Sequence, residues 1–333
     1  MPYPLSDHFD GAHFFNPEPT IRTGAEQGGR KRGGLWSFLF ARLRRDESIW
    51  SRWPKFLENK QFPPPEGTDT LSWIGHSTFL LRLPGLTVLT DPVFSKRCSP
   101  VQFAGPKRVR DPGIALADLP KIDVILLSHN HYDHMDINAL RELYRHSPDV
   151  QIVTTLGNTA YLAKKGIPGA IELDWWQEET VHGARITATP ARHFAARTLW
   201  DRNETLWGGM YLEYQGHKIF FAGDTGYTKY FAEIRQRLGA PTLAMLPIGA
   251  YEPRWMMGPV HLNPADAVQA MLDLEAEKAV GIHFGTFQLT AEPIDAPLHD
   301  LKAAMLAADE PLERFFTLET GETAPLLREV ALV

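Results

Sequence analysis

Beyond residue 67, apolar positions either alternate with polar ones or run together in short blocks. The segments 71–74, 78–83 and 86–90 are rich in Leu, Ile, Val and Thr, and Pro84-Gly85 punctuates the last two as a tight turn. They predict three successive strands. Residues 123–128, Asp-Val-Ile-Leu-Leu-Ser, form an apolar block between polar residues, the pattern of a buried strand. Further strands are predicted at 151–154, 170–173, 185–189, 209–214, 218–222, 243–247 and 279–283, and helices at 138–146, 158–165, 227–238 and 297–307. Asn263-Pro264 predicts a helix start, with Asn as the cap and Pro at the first helical position, and that helix runs to about Leu274. A final strand pair is expected to close the chain. Strand pairs come first and strands then alternate with helices in each half, which suggests an α/β body with helices outside two packed sheets. No internal sequence repeat is visible.

The chain before residue 67 reads differently. Residues 24–34 are rich in Gly and charge and predict a loop. Residues 35–45 predict a short amphipathic helix. Leu35, Trp36, Leu39, Phe40 and Leu43 share an apolar arc, Arg42, Arg44 and Arg45 lie off it, and only Phe38 breaks the pattern. With Arg30, Lys31 and Arg32 upstream, such a helix can lie in a membrane interface, or it can pack on the chain's own body or a partner chain. Pro63-Pro64-Pro65-Glu66-Gly67 then breaks the chain. The expected division is a lead-in over 1–66 and a catalytic domain over 67–333.

Composition narrows the class. No apolar run is long enough to span a membrane, and residues 1–20 lack the apolar centre of a secretory signal. The single cysteine, Cys98, excludes an intramolecular disulfide and makes a reducing, cytoplasmic location the default, peripheral to the membrane if 35–45 binds lipid. A net charge of -6 argues against a nucleic-acid partner. The oligomeric state stays open.

The strand at 123–128 ends directly at His129-Asn130-His131-Tyr132-Asp133-His134. Four ligand-type side chains fall within six residues. Two histidines one residue apart, just past a strand end, can point the same way, and neutral imidazole and carboxylate are what zinc and related divalent metals prefer. His193, Asp224 and His283 each follow a predicted strand, where open α/β sheets gather ligands. Together they make five histidines and two aspartates, enough for two metals with one carboxylate able to bridge. Zinc is the leading metal, with iron and manganese open. Two metals sharing a water make hydroxide available near neutral pH, so no Ser or Cys nucleophile is needed and Cys98 reads as structural. His76, in Gly-His-Ser, reads as structural support, and Asp91, after a strand, as a residue that orients a metal-bound histidine.

The chain resembles the metallo-β-lactamase superfamily, and within it the N-acylphosphatidylethanolamine phospholipase D family and its bacterial relatives. The His-x-His-x-Asp-His motif is shared by the whole superfamily. Glu172-Leu173-Asp174-Trp175-Trp176 and Tyr251-Glu252-Pro253-Arg254-Trp255 are narrower signatures, and the matching segments span about residues 71 to 323. The resemblance implies an αββα four-layer sandwich with the site at one edge. It implies that His129, His131 and His193 hold one zinc, that Asp133, His134 and His283 hold the other, and that Asp224 bridges them. The implied activity is phospholipase D-type phosphodiester hydrolysis of a lipid substrate. A lactonase or another hydrolase of the same fold is the alternative, and a metal-binding, membrane-associated scaffold the non-enzymatic one. Asp133 and His261 are the catalytic candidates, His261 as an acid/base or substrate-binding residue. Tyr251 and Arg254 are candidates to meet a phosphate, and equally Trp255, Met256 and Met257 to pack beside an apolar substrate chain. The lead-in departs from the animal enzymes, and Val260 stands before His261 where they carry Gln.

Overall fold

A computed structural model describes residues 3–18, 50–63, 67 and 69–326. The amphipathic stretch 35–45 and the loop 24–34 lie outside the described residues.

Among the described residues, fourteen strands form two seven-stranded sheets. In the first half lie β1 (Thr70–Gly75), β2 (Thr78–Leu83), β3 (Leu86–Thr90), β4 (Val124–Leu126), β5 (Gln151–Thr155) and β6 (Ile171–Leu173). The second half holds β7 (Glu178–Val181), β8 (Ala184–Thr189), β9 (Gly209–Tyr214), β10 (His217–Phe221), β11 (Leu243–Pro247), β12 (Lys278–Ile282), β13 (Phe315–Phe316) and β14 (Thr323–Pro325). The helices are α1 (Ile137–His146), α2 (Asn158–Lys164), α3 (Tyr230–Leu238), α4 (Arg254–Met257), α5 (Pro264–Asp273) and α6 (Ala296–Ala307). Asn263 caps α5 in a capping box with Asp266, as the Asn-Pro pair predicts.

The sheet orders are β14-β1-β2-β3-β4-β5-β6 and β7-β8-β9-β10-β11-β12-β13. Each begins with three antiparallel pairings and ends with three parallel ones. The two sheets thus repeat one topology although their sequences do not repeat. The expected closing strand pair is corrected: β13 joins β12 in one sheet and β14 joins β1 in the other. Strand β7 was not predicted, because Glu178-Glu179-Thr180-Val181 is an exposed edge with a single buried side chain.

Alternation along the first sheet sets the layers. Leu71, Trp73, Phe79, Leu81, Val88, Val124, Leu126 and Val153 face the second sheet in the main core. Their neighbours Ile74, Leu80, Leu89, Ile125 and Ile152 face outward, where Leu140 and Leu143 of α1 and Leu162 of α2 cover them. A strand apolar on both faces must be covered on both. On the other side, Phe231, Ile234, Met271, Leu301 and Met305 bring α3, α5 and α6 onto the second sheet. The result is helix, sheet, sheet, helix.

The described parts of the lead-in pack on this body. Phe9 and Phe14 share a core with Trp175 and Trp207. His8 stacks on Trp175 with ring centroids 4.3 Å apart, and its Nε2 lies 2.7 Å from Asp174. Farther along, Ser51 Oγ and Trp53 Nε1 donate to the Glu292 carbonyl.

Candidate metal centre

Strands β1, β3 and β4 of one sheet and β8, β10 and β12 of the other all end at the same edge of the sandwich. Two antiparallel steps restore a strand's direction, and β3/β4 and β10/β11/β12 are parallel. Residues just beyond these six ends therefore meet: His76, Asp91, 129–134, His193, Asp224 and His283.

Two histidine groups result. His129 Nε2 and His131 Nδ1 lie 2.8 Å apart, and His193 Nε2 is 3.2 Å from the same Nδ1. Beside them, Asp133 Oδ2 gathers His76 Nε2 at 3.0 Å, His283 Nε2 at 3.3 Å and His134 Nε2 at 3.5 Å. Asp224 Oδ2 lies between the groups. It is 3.1 Å from His134 Nε2 and from His283 Nε2, and 3.7 Å from His193 Nε2. His261 Nδ1 stands 3.9 Å from Asp224 Oδ2. Each group could hold a metal ion.

The far nitrogens are fixed by the protein. Asp91 is fully buried and accepts from Ser128 N–H at 2.8 Å, Ser128 Oγ–H at 2.5 Å and His134 Nδ1–H at 2.6 Å. The Ser128 hydroxyl proton is thereby used, so its oxygen accepts from His129 Nδ1–H at 2.9 Å. One carboxylate thus fixes the outward nitrogen of a histidine in each group: Nε2 of His129 faces inward as a lone pair, and Nε2 of His134 faces inward to become one when that ring gives up its second proton. His193 Nδ1–H donates to the Val260 carbonyl at 2.9 Å with the same effect. Gly223 is required here, since a Cβ at that position would lie 2.5 Å from the Ser128 Cβ. His76, Asp91 and His283 adopt positive φ of 56°, 29° and 63°, a local strain of roughly 1–3 kcal/mol each that the surrounding hydrogen bonds must hold.

The centre is electrostatically divided. Burial and neighbouring histidines hold His129 well below the ordinary range and push His131 down to about 3, while burial takes His193 down to about 4. His76 falls to about 3, through burial and His283. Burial opposes ionisation of Asp133 and Asp224, but the histidines around them win and hold both well below the usual carboxylate range. Burial would lower His134 and His283 as well. The carboxylates outweigh it, lifting His134 well above its ordinary value and His283 to about 9.

All seven ligand-type residues singled out in the sequence come together, with His261 beside them. The expected substrate set fares differently. The Tyr251 hydroxyl donates to Asp300 of α6 at 2.6 Å. Arg254 donates to Asp266 at 2.6 Å and to the His261 carbonyl at 2.9 Å. Both polar ends are engaged inside the protein, as burial requires, and Arg254 braces the segment carrying His261. Trp255 is 53% exposed. The sequence reading undervalued His76, whose ring enters the second group, and missed Asn16, whose side-chain amide donates to the His193 carbonyl at 2.9 Å. The position of His76 at a strand end was a usable signal. Asn16 offered none, since it lies far from the motifs in sequence.

The family model described as the beta-lactamase superfamily domain matches residues 87–284. An uncharacterized protein of Mycobacterium tuberculosis is 42% identical over 241 residues, covering 70% of this chain and 63% of the relative, so the match spans less than two thirds of that protein's length. The N-acyl-phosphatidylethanolamine-hydrolyzing phospholipase D 1 of Caenorhabditis elegans is 38% identical over 263 residues, covering 75% of this chain and 74% of the relative. The crystal structure of a possible metal-dependent hydrolase from Veillonella parvula superposes with a TM-score of 0.62 at 17% identity, covering 78% of this chain and 100% of that one, a likeness of fold. Matched by the family model over more than half its length and by the nematode enzyme over three quarters, the chain belongs to the β-lactamase superfamily and has the metallo-β-lactamase fold.

Proposed function

We propose that the chain is a zinc-dependent phosphodiesterase of phospholipase D type, acting on N-acylphosphatidylethanolamine-like lipids. The observation that carries this reading is the 38% identity to the nematode phospholipase D, spread over about three quarters of both chains. The geometry supports a two-ion centre. His129, His131 and His193 would hold one ion, Asp133, His134 and His283 the other, with Asp224 between them. The donor set suits this role: inward lone pairs are fixed by outer hydrogen bonds, and Asp224 Oδ1 is buried without a hydrogen-bond partner. When bound, the ions would supply Lewis acidity and would lower the pKa of a water at the centre.

The chain's own residues do the rest. His129, His131 and His193 are neutral at physiological pH and Asp133 and Asp224 are charged, so these donors need lose no proton to bind an ion. His261 is held neutral by burial in the metal-free centre, and its Nδ1, which has no hydrogen-bond partner, faces Asp224 Oδ2 at 3.9 Å, which makes it the candidate for proton transfer or substrate binding. Arg254 fixes its backbone. Cleavage of the bond between phosphorus and the ethanolamine oxygen releases an N-acylethanolamine and a phosphatidate. Metal-loaded protein incubated separately with N-acylphosphatidylethanolamine and with a lactone, with products identified by mass spectrometry, tests the reading. Both diester products are expected. Lactone opening without diester cleavage would refute it.

A further inference from the structure

The most exposed large apolar side chains among the described residues are Leu199 at 90%, Trp200 at 86% and Phe103 at 84%. They occupy the tips of two loops, one between β3 and β4 and one between β8 and β9. Neither tip is a frayed end. In the second loop, Asp201 Oδ1 accepts from Arg197 N–H at 3.0 Å and Thr198 N–H at 2.8 Å, and Thr198 Oγ1 accepts from Trp200 N–H at 3.2 Å. In the first, Arg97 and Gln102 exchange three hydrogen bonds, and Arg97 bridges to Lys107 across the base. Both loops are built to hold apolar side chains in water, which is unfavourable unless something covers them.

Residues 95–102 of the first loop and Arg197 at the base of the second border a common cavity of about 250 Å³, which Tyr132 of the metal-centre motif also lines. Arg97, Arg141, Lys165 and Arg197 line it too. Residues 95–107 contribute Lys96, Arg97 and Lys107 and contain no acidic residue, although the whole chain has a net charge of -6. Aromatic and aliphatic tips backed by cations, beside the centre, match one occupant: the interface of an anionic bilayer, where Trp and Phe sit at headgroup depth and cations meet lipid phosphates.

We propose that Phe103, Leu199 and Trp200 insert into an anionic phospholipid bilayer, with Lys96 and Lys107 against its headgroups, so that the metal centre opens onto the lipid surface. This surface deepens the phospholipid reading given above and rests on it for its purpose. Its binding is testable on its own. The full chain and a Phe103→Ser/Leu199→Ser/Trp200→Ser variant are co-sedimented with vesicles of phosphatidylcholine with and without phosphatidylglycerol, at low and high salt. Wild-type protein is expected to bind the phosphatidylglycerol vesicles, and more weakly as salt rises. The variant is expected to lose at least about tenfold in partitioning, because three large apolar side chains no longer leave water. Unchanged melting temperature and metal content confirm that the variant folds, and Phe103→Ser alone serves if the triple variant does not. No vesicle binding by wild-type protein, or equal binding by wild type and variant, overturns the proposal; the latter would place the anchor elsewhere, residues 35–45 included. A water-soluble short-chain phosphodiester separates the two readings. Vesicle binding without its turnover sinks the proposed reaction alone, and turnover without vesicle binding sinks the docking surface alone.

Discussion

Replacing Asp91 by Asn changes one atom of a fully buried side chain and is expected to disable both histidine groups. In the native protein three donors converge on the carboxylate: Ser128 N–H, Ser128 Oγ–H and His134 Nδ1–H. An Asn keeps an oxygen for the Ser128 amide but presents N–H groups to the Ser128 hydroxyl and to His134. His134 must then turn its Nδ1 into an acceptor, which moves its proton to Nε2. The Ser128 hydroxyl, refused by the amide, donates to His129 Nδ1 and moves that proton to Nε2 as well. The neutral form of each ring then carries its hydrogen on the Nε2 that should bind an ion, so no lone pair is offered there. Loss of one outer hydrogen-bond partner commonly costs about 10–100-fold in metal affinity. Here a ligand of each ion is affected, so the loss is expected at or above roughly the upper end of that range. Asp91→Ala is a poorer probe. It strands three buried donors at about 1–3 kcal/mol each, a sum that approaches the roughly 5–15 kcal/mol stability of a whole domain. The assay is zinc titration of chelator-stripped protein against a competing chelator, with the melting temperature of the stripped protein as the fold control. An Asp91→Asn protein that folds and binds zinc with wild-type affinity would show that the Asp91–Ser128–His129 relay does not set the tautomers.

Asp224→Ala should abolish hydrolysis and weaken at least one ion, since its Oδ2 is the atom that reaches histidines of both groups; retained turnover and metal content, read by elemental analysis, would remove it from the centre. His261→Ala should lower turnover about 10²–10⁴-fold, the usual range for a general acid or base, with metal content unchanged; unchanged kinetics on the true substrate would make it a packing residue. In chelator-stripped protein, His283 is held at about 9 by Asp224 and Asp133 against the opposing burial, so it carries a proton at about pH 7.5 that an incoming ion must displace. Zinc binding should therefore release protons and tighten as pH rises towards 9, which calorimetry in buffers of different ionisation enthalpy measures. The sign for stability is opposite: the protonated His283 stabilises the stripped chain fully below about pH 6.5, and that contribution is lost as pH rises through about 9.

Much of the centre was legible because its ligands are local to strand ends. The motif at 129–134 packs four ligand-type side chains behind one buried strand, and no folding is needed to see that density. His193, Asp224 and His283 each follow a predicted strand, where open α/β sheets gather ligands, so they were candidates before any pairing was known. Asp91 was visible for the same reason, and the structure brings it to His134. Most strands and helices were likewise set by periodicity, because burial on one or both faces imposes a pattern of two or of 3.6 on the residues themselves.

Tertiary structure decided what depends on distant partners. The sequence placed Tyr251 and Arg254 near substrate, but whether a polar side chain is free depends on Asp300 and Asp266, which reach it only when α5 and α6 pack. Asn16 meets His193 across 177 positions of chain, and no local pattern encodes that contact. The last two strands look like a pair along the chain, yet hydrogen-bonding vacancies at two different sheet edges draw them apart, β13 beside β12 and β14 beside β1. The order of elements in each half was legible, but not the strand pairing that makes the two sheets repeat one topology. A strand order is a property of pairing, and many apolar sequences satisfy the same pairing, so the fold can repeat where the residues do not.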